Sequence, residues 1–212
     1  MNQAPDLSGV GPGFVDLVFG SQAVFRAALD ALSRPGRVFE VEAPQSLPDG
    51  LHPAAAALAL ALLDTDTAVW MAPALDNGRA RSWLRFHTGC PFVAEPGAAD
   101  FAFMDSLAAA GDFSGFSAGS DERPEASTTL IVQVETLAAG MSDALGGRLS
   151  LRGPGIQHAA QLAIAGVDAV FIERWQARRA MFPRGCDLLV ACGNRVAGLP
   201  RTTDLAFATE AN

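Results

Sequence analysis

The chain has 212 residues, half of them apolar, enough to build one large domain around a single core. Its 23 acidic residues outweigh 15 basic ones for a formal net charge of −8, a balance that repels nucleic acid. Every cation is arginine, and the absence of lysine excludes both an internal Schiff base with pyridoxal phosphate and a Walker-type phosphate lysine.

In chain order, apolar residues at Leu17, Val18, Val24, Phe25, Ala28, Leu29 and Leu32 fall three and four apart and predict a helix over 14–33. It should stop at Ser33-Arg34-Pro35-Gly36, where the proline bars helical geometry from its predecessor. A flexible segment is expected at 1–12. Residues 37–41 read as a short strand, 53–63 as a buried alanine-rich helix and 67–71 as a core strand. The stretch 79–87 fits a strand nearly as well as a short helix, and the closing Gly89 and Pro91 favour helix. A strand at 101–104 and a long polar loop at 111–121 follow. The run 128–134 is the clearest strand, with 148–151 expected as its neighbour, and Gly153-Pro154-Gly155 breaks the chain before 156–165. Strands at 188–191 and 195–199 flank Gly193-Asn194, a dipeptide suited to a tight hairpin. The sum is a single α/β domain over 1–212, with a mixed central sheet flanked by helices.

Cys90, Cys186 and Cys192 form no C-x-x-C pair, so no disulfide is expected. The apolar run 53–63 is shorter than the ~20 residues a membrane span needs. No basic segment precedes Arg26, so no secretory signal is expected either. These readings give a soluble, cytoplasmic protein without membrane contact.

Two turns are candidate anion sites. Leu151-Arg152-Gly153-Pro154-Gly155-Ile156 follows a strand and, if a helix came next, would aim backbone N–H groups, a helix dipole and an arginine at one phosphate. Leu199-Pro200-Arg201-Thr202-Thr203 groups a guanidinium with two hydroxyls after a strand. A tight structural turn and a solvated strand end are the plainer alternatives. His87 and Cys90 are spaced to share a turn, yet two ligands do not make a zinc site, so a packed or hydrogen-bonded histidine and no metal are expected. Asp121 and Glu122 are neighbours in a polar loop and read as solvated rather than catalytic. The G-x-S-x-G, G-x-G-x-x-G and H-E-x-x-H patterns are missing, so no catalytic residue is assigned.

Between Phe14 and Thr203 the sequence resembles the PhnH family, the H subunit of carbon-phosphorus lyase. The resemblance is carried by Phe14-Val15-Asp16-Leu17-Val18, Ser21-Gln22, Phe25-Arg26, Leu29-Asp30-Ala31-Leu32-Ser33-Arg34-Pro35-Gly36 and the Trp83 to Pro91 stretch. It continues through Gly119-Ser120-Asp121, Gly153-Pro154-Gly155-Ile156, Phe182-Pro183-Arg184-Gly185-Cys186-Asp187-Leu188 and Leu199-Pro200-Arg201-Thr202-Thr203. It implies a fold similar to the large domain of pyridoxal-phosphate-dependent transferases without the cofactor, with which the missing lysine independently agrees. It further implies a homodimer that joins subunits G, I and J. With G, I and L, the family is associated with transfer of the ribose triphosphate of ATP to an alkylphosphonate, the chemistry residing on the I subunit. The chain is then an accessory, non-catalytic subunit. The alternative is a subunit that contributes an anion site for phosphonate or nucleotide through Arg152, Gly153, Gly155, Arg201, Thr202 and Thr203.

Overall fold

The computed structural model describes residues 10–140 and 147–208. The first helix, α1 (Leu17–Ser33), begins three residues later than its apolar spacing suggests. The Asp16 carboxylate accepts the backbone N–H groups of Val18 and Phe19 at 3.0 and 2.9 Å, fixing the cap there. Phe14 is thereby released to fold back against Gly20. Of the segment expected to be flexible, 1–9 lies outside the described residues, while Val10 packs on the core and the Pro12 carbonyl accepts from the Ser46 backbone.

The elements that follow are β1 (Phe39–Glu40), α2 (Pro53–Leu62), β2 (Val69–Met71), α3 (Gly78–Thr88), β3 (Phe101–Met104), β4 (Thr129–Gln133) and β5 (Leu137–Ala139). Then come β6 (Gly147–Arg152), β7 (Ala160–Ile164), α4 (Ala169–Arg179), β8 (Asp187–Cys192), β9 (Arg195–Leu199) and β10 (Asp204–Phe207). The ambiguous stretch before Gly89 is a helix, capped by the Asn77 side chain on the Ala80 N–H at 2.8 Å.

The central sheet is mixed, in the order β1-β9-β8-β4-β3-β2; β2, β3, β4 and β8 run parallel, and β8 and β9 form the hairpin closed by Gly193-Asn194. Its inner strands are buried on both faces and side chains alternate between two cores. Phe103, Ile131, Leu189 and Ala191 meet α1, α2 and α3 on one side. Ala102, Met104, Leu130, Val132, Leu188 and Val190 meet the other core.

That second core overturns the expectation of one sheet. It is closed by a separate antiparallel sheet, β10-β6-β7-β5, together with α4. The strand expected beside 128–134 is β6, which lies instead between β10 and β7 in this second sheet. Leu149 and Leu151 point inward while Arg148, Ser150 and Arg152 do not, the alternation of a sheet with one wet face. The helix that 151–156 was to introduce is likewise absent: 156–159 is irregular and β7 follows, with Leu162 and Ile164 in the core. The α4 helix lies where the sequence reading was silent. Asp168 caps it through the Phe171 N–H at 2.7 Å, and Phe171 and Trp175, four residues apart, bury one face.

Candidate functional site

The two turns singled out in sequence meet in space. Pairing of β6 with β10 sets Arg152 opposite Asp204, and a Cβ on Gly153 would lie 3.0 Å from the Thr202 carbonyl oxygen. Their groups differ in what they leave open to an anion: the Arg201 donors are engaged within the fold, while Arg152 is exposed.

Arg201 grips Asp187: its backbone N–H reaches Oδ1 at 2.7 Å, Nε lies 3.1 and 3.2 Å from the two oxygens, and Nη2 is 2.5 Å from Oδ2. Nη1 donates to the carbonyls of Pro124 and Pro183 at 2.8 and 3.3 Å, and Nη2 also donates to Ser127 Oγ at 2.7 Å. A guanidinium has five N–H donors in a fixed fork, and these acceptors account for them. With the two side chains only 14% and 23% exposed, the pair is a tie between chain segments and offers no donor to a ligand. Thr203 is buried, its carbonyl accepting from Trp175 Nε1 at 2.7 Å and its N–H donating to Pro200, and its hydroxyl is buried without a partner. The Thr202 carbonyl accepts from Arg179 Nε at 3.3 Å.

The 152–155 turn divides. Arg152 is exposed. Gly155 turns inward at φ +80°, where a Cβ would stand 2.1 Å from the Ser33 carbonyl oxygen. Across the gap, Gly36 at φ +92° would place a Cβ 2.3 Å from Ala160. Each wall therefore rests on a glycine of the other, at a backbone geometry that side chains rarely adopt. Between them lies a cleft of about 260 Å³ lined by 34–37 and 155–160. Its charged or ionisable lining groups are Arg34, Arg37 and His158, with no carboxylate among them. Arg34 shares its charge with Asp30 at 2.7 Å across a largely exposed pair, while Arg37 and His158 are exposed.

Other candidates resolve as packing. His87 Nε2 lies 3.0 Å from the Gly11 carbonyl, with its ring against Trp83 and Phe86. Among the described residues no group of three or more His, Cys, Asp or Glu could hold a metal ion. All three cysteines are buried and free; burial pushes the Cys90 and Cys186 thiols up, outweighing Thr88 and Arg85 at the first and Arg178 at the second. Neither is an activated nucleophile. Asp121 pairs with Arg184 at 3.2 Å and Glu122 is exposed.

One surface lacks cover. On α1, Val18, Phe25 and Leu29 stand 62%, 45% and 53% exposed, with Phe19 and Val15 beside them. Val18, Gln22, Phe25 and Leu29 are spaced four, three and four residues apart, a continuous seam opposite the buried Val24, Ala28 and Ala31. No helix among the described residues is long and apolar enough to cross a membrane.

Comparison with known proteins places these features in a family context. Residues 12–206 match the family described as bacterial phosphonate metabolism protein (PhnH). The chain is 41% identical over 192 residues to the alpha-D-ribose 1-methylphosphonate 5-triphosphate synthase subunit PhnH of Rhizobium meliloti (strain 1021), covering 91% of this chain and 93% of that one. It is 38% identical over 87 residues to the putative C-P lyase subunit protein HtxG of Stutzerimonas stutzeri, covering 41% of this chain and 42% of the relative.

Proposed function

Because the chain belongs to the PhnH family, we propose that it is an accessory, non-catalytic subunit of the carbon-phosphorus lyase system. It acts with subunits G, I and L in forming alpha-D-ribose 1-methylphosphonate 5-triphosphate from ATP and an alkylphosphonate, in the cytoplasm. Its own contribution is assembly, as a homodimer and with subunits G, I and J, while another subunit carries the chemistry. The likeness to the large domain of pyridoxal-phosphate-dependent transferases belongs to the same reading. The chain works without that cofactor, having no lysine to hold it.

The observation that carries this reading is the uncovered seam of α1. Two cores on either side of the central sheet take up most large apolar residues, yet this helix keeps six of its own or adjoining ones in water. Contiguous apolar surface of this kind marks a contact with another protein. The seam runs along a helix about 25 Å long, enough for a helix-in-groove contact. The subunits of its own system are the partners it is read to serve.

The test is co-expression of the tagged chain with subunits G, I and J, followed by native mass spectrometry of what co-purifies. A stable complex with the wild type that is lost on Phe25→Glu together with Leu29→Glu, while circular dichroism shows the fold intact, supports the reading. A chain that stays alone under all conditions, or a seam variant that assembles as well as the wild type, refutes the respective part of it.

A further inference from the structure

We infer that the cleft between 34–37 and 155–160 is a binding site for one phosphonate or phosphate group, held by Arg37, Arg34 and His158. Four observations point to this chemistry. The first is charge: in a chain of net charge −8, three cationic or protonatable side chains line one concavity and no carboxylate does. The second is availability. Arg201 has its donors engaged, and Arg34 uses one nitrogen on Asp30, but Arg37 extends from a turn closed by its backbone N–H on the Arg34 carbonyl at 3.2 Å, and among the described residues its side chain meets no acceptor. A free arginine fork matches two oxygens of a tetrahedral anion.

The third observation is rigidity. The reciprocal packing of Gly36 on Ala160 and of Gly155 on Ser33 fixes both walls before any ligand arrives. A backbone frame fixed in this way spares binding the cost of ordering the loops and leaves only that of the exposed side chains. The fourth is size. About 260 Å³ is below the range of clefts that enclose a drug-sized ligand, roughly 300 to 1,000 Å³. It has room for a tetrahedral group together with part of the molecule that carries it. Buried Pro35 and half-buried Ile156 add apolar surface for the carbon substituent of a phosphonate. Arg152, at the head of the same loop, stands outside this lining.

The choice of phosphonate as first probe rests on the accessory-subunit reading; the anion chemistry does not. The full chain is labelled with ¹⁵N and titrated separately with methylphosphonate, inorganic phosphate and ATP, following amide shifts. Saturable shifts centred on Gly36, Arg37, Gly155 and His158 are expected, and the probe that saturates lowest identifies the source of the group. Arg37→Ala should weaken that probe tenfold or more, the scale of a lost charge-assisted fork. Arg37→Lys should recover part of it, because charge remains without the fork. Arg79→Ala, an exposed arginine on α3, should change nothing. Absence of shifts at the cleft with all three probes, or binding that survives Arg37→Ala, overturns the proposal. Co-purification of Arg37→Ala with subunits G, I and J is scored separately, so failure of the anion site and failure of the assembly reading give different results.

Discussion

Two arginine clusters in this protein use the same side chain for opposite ends. Arg201 ties together two separate segments, one holding Pro124 and the other Pro183, with carboxylate, carbonyl and hydroxyl acceptors around it. Arg34 and Arg37 flank a proline-glycine turn at the end of α1, and Arg34 meets Asp30 in a largely exposed pair. The difference teaches that an arginine's neighbours in sequence say little about its role. Thr202 and Thr203 beside Arg201 suggested a ligand site, yet Asp187, fourteen positions away, and Ser127, seventy-four away, claimed the guanidinium. What remains for a ligand is decided by which carboxylates the fold brings within reach.

The comparison is broken most severely at the tied arginine. Arg201→Ala should cost about 3 to 5 kcal/mol in urea unfolding, because it strands the Asp187 carboxylate and the carbonyls it satisfied. A loss under 1 kcal/mol would make the tie no different from a surface pair. Next in size is Gly155→Ala, which drives a Cβ onto the Ser33 carbonyl at a left-handed φ. About 2 kcal/mol or more of stability should go, with widening of the cleft visible as altered shifts at Gly36. If stability is unchanged, the walls are not braced as described.

Arg37→Ala, in contrast to Arg201→Ala, should leave unfolding stability within about 0.5 kcal/mol, as expected for an exposed side chain without a carboxylate. Equal destabilisation by the two substitutions would erase the distinction between the clusters. A small effect is also expected at a third arginine pair, Arg81 with Asp76. The Arg81 hydrogen bond holds the Asp76 carboxyl below its ordinary value. A carboxyl depressed in the folded state stabilises at neutral pH, and that contribution fades as the pH falls below the ordinary aspartate range toward the folded value. The pair is about one-third exposed, so solvent screening keeps its contribution within a surface pair's range, under about 1 kcal/mol. Asp76→Asn should therefore flatten slightly the acid limb of a stability-against-pH curve measured by urea unfolding, and an unchanged limb would show the pair to be inert.

The chain itself announced much of this architecture. The stop of α1 at Ser33, the strands at 101–104 and 129–133 and the hairpin around Gly193-Asn194 are local matters of apolar period, proline and turn chemistry. So was the PhnH resemblance, carried by short motifs in a fixed order. A signal for α4 was also present and unread: Asp168 as a cap, then Phe171 and Trp175 one turn apart, then Arg178 and Arg179 in the last turn.

Only the tertiary structure decided the rest. Strand period says that β6 has one wet face but not which strands flank it, because hydrogen-bonded partners come from distant segments. That assignment created a second sheet, removed the helix expected after Gly155 and brought the 152–155 turn beside 202–203. The roles of the arginines followed from it. A sequence fixes how many charges a chain carries, whereas the pairing of each charge depends on long-range packing, and with it the difference between a tie and a site.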